Sequence, residues 1–137
     1  MAKSFAINAI GPALLMKHFL PLLPRTGRSV FTALSAKVGS IADNGLGGWH
    51  SYRASKAALN QLVRTAAIEL KRSRPESICV AIHPGTVATA LSAPFSKAGL
   101  SVQSPSQAAN EIIASLDRLE AKDSGGFFNR YGEPLPW

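Results

Sequence analysis

Apolar and polar positions along the 137-residue chain change period in turn, from helix-like to strand-like and back. From Lys3 to Leu23 the apolar residues Phe5, Ala9, Pro12, Ala13, Met16, Phe19, Leu20 and Leu23 recur at the spacing of one helix face. Pro12 has no N–H, so it should bend this helix or cost it a backbone bond. Pro21 and Pro24 end it, and Thr26-Gly27 turns the chain. Ser29 to Leu34 then reads as a buried strand. A polar loop with Gly39, Gly45, Gly47 and Gly48 runs from Ser35 to Trp49. The second helix is predicted over Ser51 to Arg72. Its apolar surface, from Ala57 through Leu59, Leu62, Val63 and Ala67 to Leu70, is broad enough to pack on more than one side. Ser77 to His83 is a continuously apolar strand of the kind buried in parallel sheets. A long loop follows, with a short helix expected around Ser92 to Lys97. Then come a helix over Ser106 to Glu120, a strand within Ser124 to Asn129, and a tail to Trp137. Strands alternating with long helices predict an α/β fold with a parallel sheet and right-handed crossovers.

Composition narrows the class. The chain is 46% hydrophobic, which suits a packed core in a single domain. The net charge of +7 admits an anionic partner, but the basic residues are scattered. The one cluster, Lys71-Arg72-Ser73-Arg74, falls at a helix C-terminus, where the helix dipole favours cations. Nucleic-acid binding is therefore not expected, and 7% aromatic residues offer no stacking platform. A single cysteine, Cys79, lies in an apolar run and reads as a small buried hydrophobe; it fits a reducing, cytoplasmic setting. The apolar start, interrupted by Asn8, Lys17 and His18 and broken by Pro12, reads as too polar to span a membrane. An amphipathic or largely buried helix is expected there, and no membrane partner. No metal site is expected.

The chemistry concentrates in Ser51-Tyr52-Arg53-Ala54-Ser55-Lys56. A spacing of four puts Tyr52 and Lys56 on one helix face, one turn apart. A phenol ordinarily ionises near pH ~10, and a neighbouring ammonium favours the phenolate. The pair can thus serve as a tuned proton donor and acceptor. The alternative is a solvated helix face that contains both residues by accident.

With this element order, four local patterns resemble the C-terminal half of a short-chain dehydrogenase/reductase. They are Tyr52-x-x-x-Lys56 followed by Ala57-Ala58-Leu59; Ile7-Asn8-Ala9-Ile10-Gly11-Pro12; the strand Ser29 to Leu34 entering Ser35-Ala36-Lys37-Val38-Gly39-Ser40; and His83-Pro84-Gly85-Thr86-Val87-x-Thr89. Asp43-Asn44-Gly45, Gly47-Gly48-Trp49 and Gly125-Gly126-Phe127 are similar to the sniffer-type carbonyl reductases and C-factor-like bacterial members. The resemblance implies a Rossmann-like doubly wound parallel sheet, present only as its C-terminal portion of about three strands and three helices. It implies nicotinamide-dependent reduction of a small carbonyl compound, or oxidation of an alcohol, with NADP(H) favoured over NAD(H). Tyr52 would be the proton donor or acceptor. Lys56 would lower its pKa and bond the nicotinamide ribose. Asn8 would hold a helix kink and a relay water, although an amide satisfying the backbone near Pro12 explains it equally well. Pro84, Gly85, Thr86 and Val87 would border the nicotinamide and Thr89 would bond its carboxamide, the alternative being a plain loop after a strand. The apolar loop from Thr89 to Val102 would bound the substrate. The helices over residues 3–23 and 51–72 would form a homo-oligomer interface.

Two departures from the family pattern matter. Where the family has two serines, two residues and a glycine, Gly39 aligns Ser35 with the first serine and Ala36 with the second. The carbonyl-orienting hydroxyl must then come from Ser35 or Ser40, or be lacking. Second, a dinucleotide site needs a Gly-rich turn between a strand and a helix. No such turn occurs in these 137 residues, and Gly45-Leu46-Gly47-Gly48 follows no strand directly. The expectation is a partial domain beginning near the family's fifth helix, with an open edge at Ser29 to Leu34. A non-catalytic chain acting only through its interface helices is the alternative function.

Overall fold

The computed structural model describes residues 1–88 and 102–137. Three parallel strands form the centre: β1 (Ser29–Leu34), β2 (Ser77–His83) and β5 (Phe127–Asn129), in the order β1-β2-β5. Leu34 lies opposite Ile82, and His83 opposite Asn129. The α/β class, the parallel sheet and the limits of β1 and β2 are as the periodicity predicts. Side chains of β2 alternate between two layers. Cys79 and Ala81 face a core with Met16, Leu20, Leu59, Val63 and Phe127, while Ile78, Val80 and Ile82 pack with Leu119 and Phe128. Cys79 is fully buried, and burial pushes its thiol up to about 12.

The N-terminal helix is one rod with an irregular middle. An α-helical turn, α1 (Ala2–Phe5), passes into a π-helical stretch (Ala6–Ile10), then α2 (Gly11–Phe19) and a 3-10 turn (Leu20–Leu22). The π turn accommodates Pro12: Gly11 N–H bonds the Ala6 carbonyl five residues back, just ahead of a residue that has no N–H to give. Ala9, Met16 and Leu20 are buried as expected, whereas Phe19 is 52% exposed. By length and composition Ala2–Leu22 is apolar enough to cross a membrane, with 17% of its most apolar window buried. It is thus more apolar, and less covered, than the sequence reading held.

Helix α3 (His50–Ser73) buries one stripe, Ser55, Lys56, Leu59, Asn60, Val63, Ala67 and Leu70. Leu62 and Ala66 are half-buried beside it, and Ile68 is 49% exposed. The breadth of its apolar surface overstated its packing. Helix α4 (Pro105–Arg118) starts at Ser104, whose hydroxyl accepts from Gln107 N–H, and covers the other face of the sheet. Two-residue strands β3 (Thr86–Val87) and β4 (Val102–Gln103) pair in parallel beyond β2. The expected short helix at residues 92–97 lies outside the described residues.

Candidate active site

The C-terminal ends of β1 and β2 share one edge of the sheet, because the strands are parallel and Ser35 N–H bonds the Ile82 carbonyl at 2.7 Å. Clefts of open α/β sheets form outside this edge. Three segments converge there: Ser35 to Gly39 after β1, the first turns of α3, and Pro84 to Val87 after β2. Helix α3 is brought in closely. A 3-10 turn (Lys37–Gly39) lies on it so tightly that a Cβ on Gly39 would sit 2.8 Å from Lys56 Cβ. Ahead of the helix, Gly47, Gly48 and Trp49 all have positive φ, which turns the chain sharply into His50. Arg53 clamps this turn, donating to the Gly47, Gly48 and Val38 carbonyls.

Tyr52 and Lys56 come together as their spacing predicts, with the Lys56 ammonium 5.9 Å from the Tyr52 ring centre. Lys56 is almost wholly buried and its Nζ donates to the Leu34 carbonyl at 2.8 Å. That bond uses one of three donors and leaves two for a ligand. Tyr52 is 38% exposed. Its ionisation differs from the expectation. Burial pushes the phenol up instead of the ammonium pulling it down, and burial lowers Lys56 in turn. The cause is geometric: Lys56 turns toward a carbonyl of β1, and desolvation outweighs its attraction for a phenolate.

Asn8 reaches the same helix from the π turn. Its Nδ2 donates to Ser55 Oγ at 3.0 Å, and Ser55 Oγ donates to the Tyr52 carbonyl at 2.8 Å. The amide therefore holds α3 one turn from Tyr52, which replaces the suggestion that it satisfies backbone near Pro12. Ser35 does not join the pair. Its hydroxyl is buried and donates inward to Asn60 Oδ1 at 2.6 Å, so it is a packing hydroxyl and not one presented to a substrate. Ser40 is likewise committed, donating to the Trp137 carbonyl and accepting from Asp43 N–H. With Ala36 buried between them, this segment offers no substrate-facing hydroxyl.

Pro84, Gly85, Thr86 and Val87 leave β2 at this edge, half-buried, and Gly85 has a positive φ with Arg130 packed against its α-carbon. Thr89 lies outside the described residues, as does the loop expected to bound the substrate. Sequence reasoning missed Ser55, Asn60 and His83. Asn60 and Ser55 carried a usable signal, being polar residues on the apolar stripe of α3. His83 is pushed down to about 4 by burial first, then by the charges of Arg130 and Lys37, so it is neutral at neutral pH.

A nicotinamide cofactor is partly matched. Half-exposed Tyr52, the two spare Lys56 donors and the glycine turn at Gly85 suit the nicotinamide-ribose end. A glycine-rich cradle for the pyrophosphate is not in these 137 residues.

Comparison with known proteins agrees with this architecture. A family model described as enoyl-(acyl carrier protein) reductase matches residues 1–116. The chain is 35% identical to C-signal of Myxococcus xanthus, over all of this chain and 78% of that protein. It is 36% identical to 1-hydroxy-2-glutathionyl-2-methyl-3-butene dehydrogenase of Rhodococcus sp. (strain AD45), over 98% of this chain and 58% of that one. Among solved structures, the carbonyl reductase Sniffer of D. melanogaster superimposes with a TM-score of 0.83 at 31% identity, covering 97% of this chain and 55% of its own. An NADPH-bound carbonyl reductase from chicken fatty liver gives 0.82 at 31% identity, covering 100% of this chain and 58% of its own. The chain thus spans little more than half the length of these solved structures.

Proposed function

Because the chain belongs to the short-chain dehydrogenase/reductase family, we propose that it carries the proton-transfer and nicotinamide-facing part of an oxidoreductase acting on a small carbonyl compound or the corresponding alcohol. The observation that carries this reading is the Tyr52–Lys56 pair at the C-terminal sheet edge, beside the Gly85 turn. Bound there, a nicotinamide would supply or accept hydride. The chain's own residues do the rest. Tyr52 gives its phenolic proton to the carbonyl oxygen, or takes one from an alcohol. A phenol holds that proton at neutral pH until a substrate oxygen accepts it. The spare Lys56 donors would hold the ribose hydroxyls. Asn8, through Ser55, fixes the turn of α3 that bears the phenol. Pro84 to Val87 would border the nicotinamide, and Thr89, outside the described residues, is the expected partner of its carboxamide. NADP(H) is preferred to NAD(H), a reading supported by the NADPH-bound relative.

Tyr52→Phe tests the assignment. We expect carbonyl reduction to fall about 10²–10⁴-fold, the usual yield of a general acid, with the helical circular dichroism unchanged. A variant that kept its rate would remove Tyr52 from the reaction.

A second reading rests on Leu14, Leu15, Phe19 and Leu22, each more than half exposed on the N-terminal helix. Such a surface, with the α2–α3 groove lined by Ala13, Met16, Leu62 and Ala66, suits a helix-mediated homo-oligomer that binds no cofactor. Cofactor binding separates the two readings.

A further inference from the structure

Three buried side-chain polar atoms have no hydrogen-bond partner among the described residues: Thr32 Oγ1 in β1 and, beneath the site, Asn60 Nδ2 and His83 Nδ1. Leaving a buried polar atom unsatisfied is costly, so the pair beneath the site calls for an explanation. Their placement supplies one. Ser35 N–H bonds the Ile82 carbonyl, which continues the parallel register and sets Ser35 opposite His83. Alternation then puts both side chains on the sheet face of Ala33, Cys79 and Ala81, the face that α3 covers. Asn60, 3% exposed, is held over this spot by the 2.6 Å bond from Ser35 Oγ to its Oδ1. As placed, Oδ1 accepts this bond and Nδ2 is left as a donor. His83 is neutral at neutral pH, so one ring nitrogen must be an acceptor. An unpaired amide nitrogen on α3 thus lies over the sheet face that carries an unpaired ring nitrogen.

We propose that Asn60 Nδ2 and His83 Nδ1 are joined through one buried water, making Ser35–Asn60–His83 a continuous polar tie between α3 and the turn at Pro84. The water accepts from Asn60 and donates to Nδ1, which meets the two-partner minimum for a buried water. The tie locks His83 in the Nε2–H tautomer. Its place gives it a positioning role. Asn60 lies one helical turn beyond Lys56, and His83 immediately precedes the Pro84–Val87 segment. The two halves of the candidate site are therefore held in register by a bond path that includes neither Tyr52 nor Lys56. Only this consequence rests on the oxidoreductase reading. The tie itself is a property of the folded chain.

Asn60→Asp is the discriminating variant, because it is isosteric and keeps the acceptor for Ser35 while removing the Nδ2 donor. It leaves the cations Lys37 and Arg130 in place but adds a carboxylate that favours the imidazolium, so the tautomer is the deciding readout. Imidazole ¹⁵N shifts, recorded by long-range ¹H–¹⁵N correlation across a pH series, report the tautomer of each of the three histidines without any cofactor. In the wild type we expect His83 to carry its proton on Nε2 with Nδ1 as a bonded acceptor. In N60D we expect the proton on Nδ1 and titration at higher pH than in the wild type. A wild-type ring protonated on Nδ1 overturns the proposal, as does an N60D ring with unchanged tautomer. Should N60D fail to fold, the wild-type tautomer decides alone. Loss of carbonyl reduction, by contrast, would count against the functional reading and leave the tie untouched.

Discussion

Strands β1 and β2 look alike in sequence and differ in structure. Both are short apolar runs, and each lies against the other in register. Yet Ile78 to Ile82 of β2 are all 0% exposed, while most of β1 is half-buried and Leu34 is 55% exposed. The difference is one of neighbours. β2 has a strand on each edge and a helical layer on each face, whereas β1 has β2 alone among the described strands. Hydrophobicity thus selects the strand, and topology decides its burial. The same holds for the helices: α3 lies on the sheet and buries a full stripe, while the N-terminal helix, though the more apolar of the two, leaves Ile7, Ile10, Leu14, Leu15, Phe19 and Leu22 more than half exposed.

The sharpest way to break this comparison uses the register pair Leu34 and Ile82. Ile82→Ala should cost about 2–5 kcal/mol of unfolding free energy, the range for truncating a buried isoleucine. Leu34→Ala should stay within about 0.5 kcal/mol, as exposed substitutions do. Urea denaturation of the two variants measures both, and equal losses would mean that the two strands are equally packed.

Acid tests the inner edge next. His83 has a folded pKa of about 4 against an ordinary 6.5. Below pH ~6.5 the unfolded chain binds a proton that the folded chain refuses, so stability rises with pH between the two values. Falling pH should therefore remove up to about 3 kcal/mol from this residue, most of it by pH ~4. Denaturation at pH values spanning that window should show the slope, and His83→Gln should flatten it. A wild-type slope that persists in H83Q would assign the acid sensitivity to other groups.

A smaller effect separates two glycines of the same loop. A Cβ at Gly39 meets Lys56 Cβ and the backbone of α3, whereas a Cβ at Gly45 meets nothing within 4 Å. Gly39→Ala should cost about 1–3 kcal/mol, the scale of overpacking, and displace the lysine's helix. Gly45→Ala should be close to neutral. Thermal melts of the pair read the difference. Smallest of all is the stability change in Tyr52→Phe, because the phenol is 38% exposed; melts of wild type and variant should nearly coincide.

How much could be read beforehand follows the same division. The limits of β1 and β2, the helix bearing Tyr52 and Lys56, and the meeting of those two side chains depend on local periodicity, and all were legible. The direction of the Ser35 hydroxyl was not, because it is set by Asn60, 25 residues away. The Tyr52 pKa was misjudged for a similar reason: spacing brings the ammonium near, but the Leu34 carbonyl decides where it points. The irregular turn at Asn8 followed from Pro12, although its form, a π turn tied to Ser55, needed the packed helix. Strands β3 and β4, two residues each, are too short to show a period at all.

The central claim is that the edge bearing Tyr52, Lys56 and Gly85 receives a nicotinamide. It is tested most directly by titrating the purified chain, and its Lys56→Ala variant, with NADPH and NADH while following cofactor fluorescence. The account predicts saturable binding, tighter for NADPH and weakened in K56A. A folded chain that binds neither cofactor would contradict it and leave assembly through the exposed helices as the function to pursue.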